Sequence, residues 1–297
     1  MSVTPDPSGT HFDRARRRQA LAQIAARLRR EPDDINEMLA LAEVVKALGR
    51  RAQHDLGIQT IALDSIVGTV DRRSDEFDRA FRPRSRRLRE RWARVAAVRR
   101  RGEDLPPIEV YRVGDLHFVE DGHHRVSVAR ALGDTTIEAR VREIRTAVGA
   151  HPELRPGLLG LKHHERIFFE RVPLPEHLRD RVQLTDEWRY VQLAAFIEAR
   201  GFRESHARGR LLSRHELAMH WYRDQYEPVV AILRRTGVGG PGTDADGYLR
   251  FMMLRSLLLH THEWTDEVVE QLIEAVRPPR PDDDTLVHQI LSEMHGR

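Results

Sequence analysis

Residues 106–133, PPIEVYRVGDLHFVEDGHHRVSVARALG, constrain the fold more than any other stretch of the chain. Ile108, Val110 and Tyr111 read as a short strand, Gly114-Asp115 as a two-residue hairpin turn, and Leu116, Phe118 and Val119 as the returning strand. Asp121-Gly122 then stops the sheet. Val126, Val128, Ala129 and Leu132 recur at helical spacing until Gly133, which suits a helix C-terminus. The polar run Asp121-Gly122-His123-His124-Arg125 therefore falls on a strand-to-helix turn. Such a turn offers backbone N–H groups without helical partners, the positive end of a helix dipole, a glycine with no side chain in the way, and an arginine in the first turn. Each favours a bound anion, and together they point to phosphate.

The surrounding chain extends this unit on both sides. Gly57 to Asp64 reads as its opening strand, and Leu88, Trp92, Val95 and Ala96 form the buried stripe of a helix ending near Gly102, with Ser85 as its N-cap. Thr136–Val141 alternates and closes the sheet. Residues 1–10 read as a polar, disordered tail. Phe12–Arg30 is periodic, with Ala20, Leu21, Ile24, Ala25 and Leu28 on the expected inner face; Asp34 and Glu37 have capping-box spacing before a second helix that ends at Gly49. Residues 11–56 are thus expected as a helical hairpin, residues 147–164 as a linker, and residues 165–297 as an all-α domain. Within that domain Thr185 is expected to cap a helix stopped by Gly201, Ser213 and Glu216 form a capping box, Pro228 predicts a kink, and Thr265 caps a later helix. Leu286, Ile290 and Met294 mark a last amphipathic helix.

Position by position, residues 57–146 resemble the ParB/sulfiredoxin-like domain, shared by chromosome-partitioning ParB, sulfiredoxin and ParB-like free serine kinases. Ile61-Ala-Leu-Asp-Ser-Ile66 resembles the opening I-x-L-x-x-I element of that family. Gly102-Glu-Asp-Leu-Pro106-Pro107-Ile108-Glu-Val110 resembles its G-x-x-x-P-P-I-x-V element, and Gly122-His123-His124-Arg125 its Gly-x-x-Arg turn. The resemblance implies a small mixed sheet, hence an α+β chain. It also implies a nucleotide (ATP, ADP or CTP), with Mg²⁺, at the Gly122 turn. Where sulfiredoxin places a cysteine in the turn, His123 stands here. The turn also lacks the consecutive arginines of the partitioning proteins' G-E-R-R, and resembles the D-G-H-x-R form of kinase-like members instead.

Composition narrows the chemistry. The 297 residues include no cysteine, which excludes disulfides, thiolate metal sites and a cysteine nucleophile. Lys46 and Lys162 are the only lysines, so a phosphate-loop lysine or a Schiff base has few candidates. The formal net charge is +3, a balanced rather than polybasic chain. No apolar run reaches spanning length and no secretory leader is read at the start, so a cytoplasmic location without a membrane partner is expected.

Gly122, His123, His124, Arg125 and Arg72 are the candidate ligand-binding residues. Asp71, Asp121 and His123 are the candidate catalytic groups, and Glu120 with Asp121 the candidate magnesium ligands. Arg125 admits two readings: a fork gripping two phosphate oxygens, or an ion pair with Asp121 or Glu120. Arg82, Arg84, Arg86, Arg87 and Arg89 could rim an anion site or simply form a solvated helix face. Arg16-Arg17-Arg18 could touch nucleic acid, with a solvated face as its alternative. Phe77 and Phe81 suit a core better than a stacked base. His215-Glu216-Leu-Ala-Met-His220 fails as a zinc helix, because residues five apart lie about 140° apart around the axis. Two functions follow as expectations: a nucleotide- or phosphate-binding protein capable of phosphotransfer, or a non-enzymatic regulator that binds DNA or a partner protein through its helical C-terminal domain.

Overall fold

The hairpin at residues 108–121 forms in the computed structural model, which describes residues 7–70, 76–259 and 265–276. The chain divides into two units, residues 1–166 and 167–297. In order, the first unit contains α1 (Pro7–Leu28), β1 (Leu39–Ala40), α2 (Leu41–Leu48), β2 (Arg50–Ala62), β3 (Ile66–Thr69), α3 (Arg89–Arg100), β4 (Ile108–Val113), β5 (Leu116–Asp121), α4 (His123–Leu132) and β6 (Thr136–Thr146). The division falls within α5 (Leu159–Arg171).

One mixed six-stranded sheet, in the order β1-β3-β5-β4-β6-β2, makes the chain α+β. β4 and β5 pair antiparallel around the Gly114-Asp115 turn, with Val113 opposite Leu116. β3 runs parallel to both β1 and β5, and β6 runs parallel to β4. β2 ends the sheet, antiparallel to β6, with register shifts at 50/52 and 55/58. The second shift has a local cause: Asp55 Oδ1 accepts from the Gly57 amide at 2.8 Å, and Gly57 has φ 70°. α4 carries the chain from β5 to β6 and packs beside α3. Trp92, Ile108, Val110, Val119, Val126 and Val141 are buried in the core that these helices share with the sheet. The Trp92 indole meets Phe12 edge-on at 5.7 Å and donates to Ser127 Oγ at 3.0 Å, tying α1, α3 and α4 together.

Several expectations change. Residues 11–56 are not a helical hairpin, because β1 and β2 take part of this segment into the sheet. Residues 7–10 belong to α1 rather than to a tail. On α1 the stripe Phe12, Ala15, Gln19 and Ala26 is buried, whereas Leu21, Ile24 and Leu28 are 63%, 55% and 80% exposed. Two apolar stripes compete on this helix, and the large Phe12 ring against Trp92 decides between them. Asp34 caps no helix; it pairs with Arg155 Nη1 at 2.9 Å and accepts from the Gly157 amide. A distant guanidinium thus supplies the partner that a local cap would have supplied. Residues 147–164 are packed rather than a free linker, with Val148, Ala150 and Leu154 buried. β6 runs on to Thr146, past the expected Val141.

Helices are the only regular elements among the described residues of the second unit, as expected. It contains α6 (Glu176–Arg179), α7 (Glu187–Ala207), α8 (Arg214–Trp221), α9 (Glu227–Thr236), α10 (Asp244–Leu259) and α11 (Asp266–Val276). The Ser213/Glu216 capping box forms, and Thr265 Oγ1 accepts from the Val268 amide at 3.3 Å. The cap of α7 is Asp186, which accepts from the Trp188 amide, and not Thr185. α7 also runs through Gly201, because the bare backbone there makes room for Leu217; a Cβ would lie 2.6 Å from Leu217 Cδ1. Pro228 lies in the first turn of α9. A π-helical turn, Tyr222–Tyr226, joins α8 to α9 and absorbs the missing N–H. Trp221, Tyr226 and Tyr248 form the aromatic centre, with the Trp221 indole donating to Tyr248 Oη at 3.0 Å. The expected helix at Leu286–Met294 and the linker at Pro278–Pro281 lie outside the described residues.

Candidate functional site

Gly122 sits between β5 and α4 with φ 109° and ψ 16°, in the left-handed region. A Cβ there would lie 2.4 Å from Ile108 Cγ2 and 2.8 Å from Ile108 Cβ. Glycine is therefore required on both conformational and steric grounds. The Gly122 carbonyl accepts from Val126 N at 3.0 Å, which closes the first turn of the ten-residue α4. The amides of residues 123–125 precede the first helical acceptor, so helix geometry gives them no partner within α4.

A cleft of about 300 Å³ adjoins this turn. Residues 120–125 line it together with Glu76 and with Arg91 and Val95 of α3. Arg91 and Val95 are four apart and so share one face of the helix. Arg91 is exposed and brings a cation to the cleft. Sequence reasoning weighed five neighbouring arginines and missed this one; the residue before the buried Trp92 was the available signal. The five disperse: Arg82 pairs with the buried Asp78 at 2.7 Å, Arg84 donates to Asn36 O, and Arg89 pairs with Asp13. None of the five lines the cleft.

Both histidines of the turn are held by aromatic neighbours. His123 Nε2 lies 2.8 Å from Thr69 Oγ1, which itself donates to Val119 O at 3.2 Å. A hydroxyl carries one proton, so in this arrangement Nε2–H is the donor to Thr69. The His123 ring lies 6.4 Å from Phe77 and 6.1 Å from Phe81. Both phenylalanines are buried, as the spacing implied, and they form the floor under His123. Phe81 has φ 56°, a strained value for a bulky residue, fixed by Asp78 Oδ1 accepting from the Ala80 and Arg82 amides. His124 is 7% exposed, packs edge-on to Phe77 at 5.3 Å, and leaves a buried Nδ1 without a hydrogen-bond partner. Burial, reinforced by the positive charges of Arg91, His123 and Arg94, pulls its pKa down to about 4. His124 is therefore neutral at neutral pH and offers the cleft a dipole rather than a charge.

The acidic candidates are already engaged. Glu120 and Asp121 both line the cleft, and each already has an arginine partner: Glu120 pairs with Arg142 and Asp121 with Arg125. Among the described residues no group of three or more His, Asp or Glu side chains is arranged to hold a metal ion. Arg125 follows the second of its two readings. Its guanidinium donates to Pro106 O, to Pro107 O at 2.9 Å and to Asp121, and its side chain is 14% exposed. It clamps the approach to β4 against the start of α4. Asp71 and Arg72 lie outside the described residues.

Beyond Arg125 lies a larger cavity of about 690 Å³. Its charged lining is Asp104, Asp134 and Glu138 against Arg99 and Arg125, and Arg99 is paired with Asp134 at 3.0 Å. The smaller cleft carries the same balance, Glu76, Glu120 and Asp121 against Arg91 and Arg125, and is the candidate site because it adjoins the N-terminus of α4. In the second unit His215 meets Pro173 O and His220 meets Glu204, so these two histidines share no ligand. Comparison with protein-family profiles, with curated proteins and with solved structures finds no match. No helix among the described residues is long and apolar enough to cross a membrane.

Proposed function

We propose that the first unit binds a phosphate-bearing ligand, of the nucleotide class, in the cleft before Gly122. One observation carries this reading. The N-terminus of a ten-residue helix, fixed on a glycine that tolerates no side chain, adjoins a cleft flanked by Arg91 and by a buried His124 with an unpartnered nitrogen. Main-chain amides and the helix dipole supply the anion cradle, and Arg91 supplies the mobile charge. The resemblance of residues 57–146 to the ParB/sulfiredoxin-like domain supports the nucleotide class. Arg125 acts as a positioning residue that keeps the turn in place. Asp121 and Glu120 are each neutralised by an arginine, so the proposal is confined to binding and assigns no phosphotransfer step.

Melting curves with ADP, ATP, CTP, GTP and pyrophosphate, with and without Mg²⁺, test this reading. A ligand at 100 times its Kd adds about 2.7 kcal/mol, which should raise Tm by roughly 5–10 °C. Arg91→Ala, at an exposed position, should abolish most of that rise without lowering the melting point of the free protein. No rise beyond that of sodium chloride at equal ionic strength would refute the site. Salt-sensitive retention on DNA that survives Arg91→Ala would favour a DNA-binding regulator instead.

A further inference from the structure

Two basic runs far apart in sequence, Arg16-Arg17-Arg18 and Arg82 to Arg89, take no part in the Gly122 cleft. The fold brings one end of each together. Asp13, Arg16 and Arg17 of α1 line a cavity of about 400 Å³ with Arg86, from the 3-10 turn that leads into α3, and with Arg89, the first residue of α3. Residues 13, 16 and 17 share one face of α1 by their spacing. The neighbouring stripe, Phe12, Ala15 and Gln19, is buried, and Phe12 meets Trp92 of α3. That contact presses the two helices together and sets the groove between them. Ser85 Oγ accepts from the Arg87 amide at 3.2 Å, which fixes the entry to α3 and holds Arg86 beside α1.

The charge of this groove is not balanced from within. Asp13, the one carboxylate in the described lining, pairs with Arg89, whose guanidinium also lies 5.4 Å from the Phe12 ring centre. Glu90 lies a turn beyond Arg86 and outside the lining. Arg16, Arg17 and Arg86 make no ion pair or side-chain hydrogen bond among the described residues. Arg17 and Arg86 are exposed and Arg16 is half-exposed, so all three are open to a ligand from solvent. Arginine stays protonated in proteins, and three positive charges therefore stand around one groove.

We infer that this groove binds a bare phosphate chain, an inorganic polyphosphate. Guanidinium forks set along two helices match successive phosphates rather than a single one. The positive end of the α3 dipole lies at the same place. The described lining offers no ring on which a base would stack and no apolar wall for a lipid chain. That sets the ligand apart from a single nucleic acid strand, whose bases rest on stacking platforms. At a formal net charge of +3 the chain also lacks the broad basic footprint of a duplex-binding protein.

Calorimetric titration of the full chain with orthophosphate, tripolyphosphate and a longer sodium polyphosphate tests this site, with sodium chloride at matched ionic strength as the blank. Affinity should rise with chain length. For the longest chain, log Kd should rise with log salt with a slope of about 2, from three contacts at about 0.7 each. Arg16→Gln, Arg17→Gln and Arg86→Gln each remove a guanidinium that supports no other described contact, so the urea midpoint should hold while Kd rises about tenfold. Arg27→Gln removes the same charge from the last turn of α1, about 15 Å from Arg17 and beyond the screening length, and should leave Kd unchanged. Arg91→Ala should leave polyphosphate binding intact, and Arg86→Gln should leave the nucleotide-induced rise in Tm intact, so this groove and the Gly122 cleft fail separately. An equal loss on Arg27→Gln would reduce the effect to net charge and overturn the inference. So would affinity independent of chain length, or heat no greater than that of the chloride blank. Equal displacement of polyphosphate by a duplex DNA oligomer at the same phosphate concentration would also overturn it and assign the surface to nucleic acid.

Discussion

Gly122→Ala is the sharpest perturbation of the turn. The new methyl carbon would lie 2.4 Å from Ile108 Cγ2, 2.8 Å from Ile108 Cβ and 3.2 Å from Arg125 Nε. Ile108 is fully buried in β4, so it cannot swing aside as a surface side chain would. Overpacking of this kind costs about 1–3 kcal/mol. Forcing an alanine to φ 109° costs about 1–3 kcal/mol more, and the stiffer unfolded chain returns about 0.4–1 kcal/mol. The net destabilisation should centre near 3 kcal/mol. Urea unfolding measures the total, and hydrogen exchange at the Val126 amide, which donates to Gly122 O, reports the turn itself. A double-mutant cycle separates the terms. Ile108→Ala removes the colliding methyl, so the double variant should be more stable than the sum of the singles predicts by about 1–2 kcal/mol. A Gly122→Ala protein as stable as the parent would refute the steric argument, and strictly additive singles would refute the assignment to Ile108.

Three further outcomes follow from the same geometry. His124 and His117 are both held near pKa 4 by burial, against an ordinary 6.5, so the unfolded chain takes up protons that the folded chain refuses between these values. Stability should be complete above pH 6.5 and fall as pH drops toward 4, by on the order of 2–3 kcal/mol per histidine; a urea midpoint that stays flat from pH 7.5 to 4.5 would contradict this, and His124→Gln should flatten its share of the slope. Arg125→Ala should lower stability by about 1–3 kcal/mol even without ligand, because the Pro106 and Pro107 carbonyls and Asp121 lose their shared donor; a variant that loses ligand response at unchanged Tm would return Arg125 to a direct binding role. Ser127→Ala should cost about 1–3 kcal/mol by leaving the buried Trp92 indole N–H unpaired, read by urea unfolding and by a shift of tryptophan emission.

The hairpin, the turn and α4 were legible because each carries its own local cause: alternation, a two-residue turn, a glycine at each end of the helix. The helical second unit and its capping box were legible for the same reason. The failures share a different cause. Asp34 looked like a cap and became the partner of Arg155, 121 residues away. Leu21, Ile24 and Leu28 looked like a buried stripe, yet Phe12 and Trp92 set the helix the other way round. β1 and the early part of β2 gave little pattern because sheet membership there depends on partners distant in sequence. At the site, the arginine partners of Glu120 and Asp121 come from β6 and from the first turn of α4, and only the second lies close by in sequence. Arg91 was marked only by its place before the buried Trp92, and which face of α3 meets the turn is set by packing rather than by local pattern.

The long outer strand carries a consequence of its own. β2 holds 13 residues at the rim of the sheet, with mostly exposed side chains and a row of peptide groups turned away from β6. A straight rim of that length would recruit the same rim of another molecule, and stacked ribbons would follow. The step at Asp55–Ile58 and the charges on Arg50, Arg51 and Asp55 deny it a flat, neutral surface. The awkward Gly57 kink is thus a guard against self-adhesion, and a version of this protein smoothed by deleting it would be harder to keep in solution.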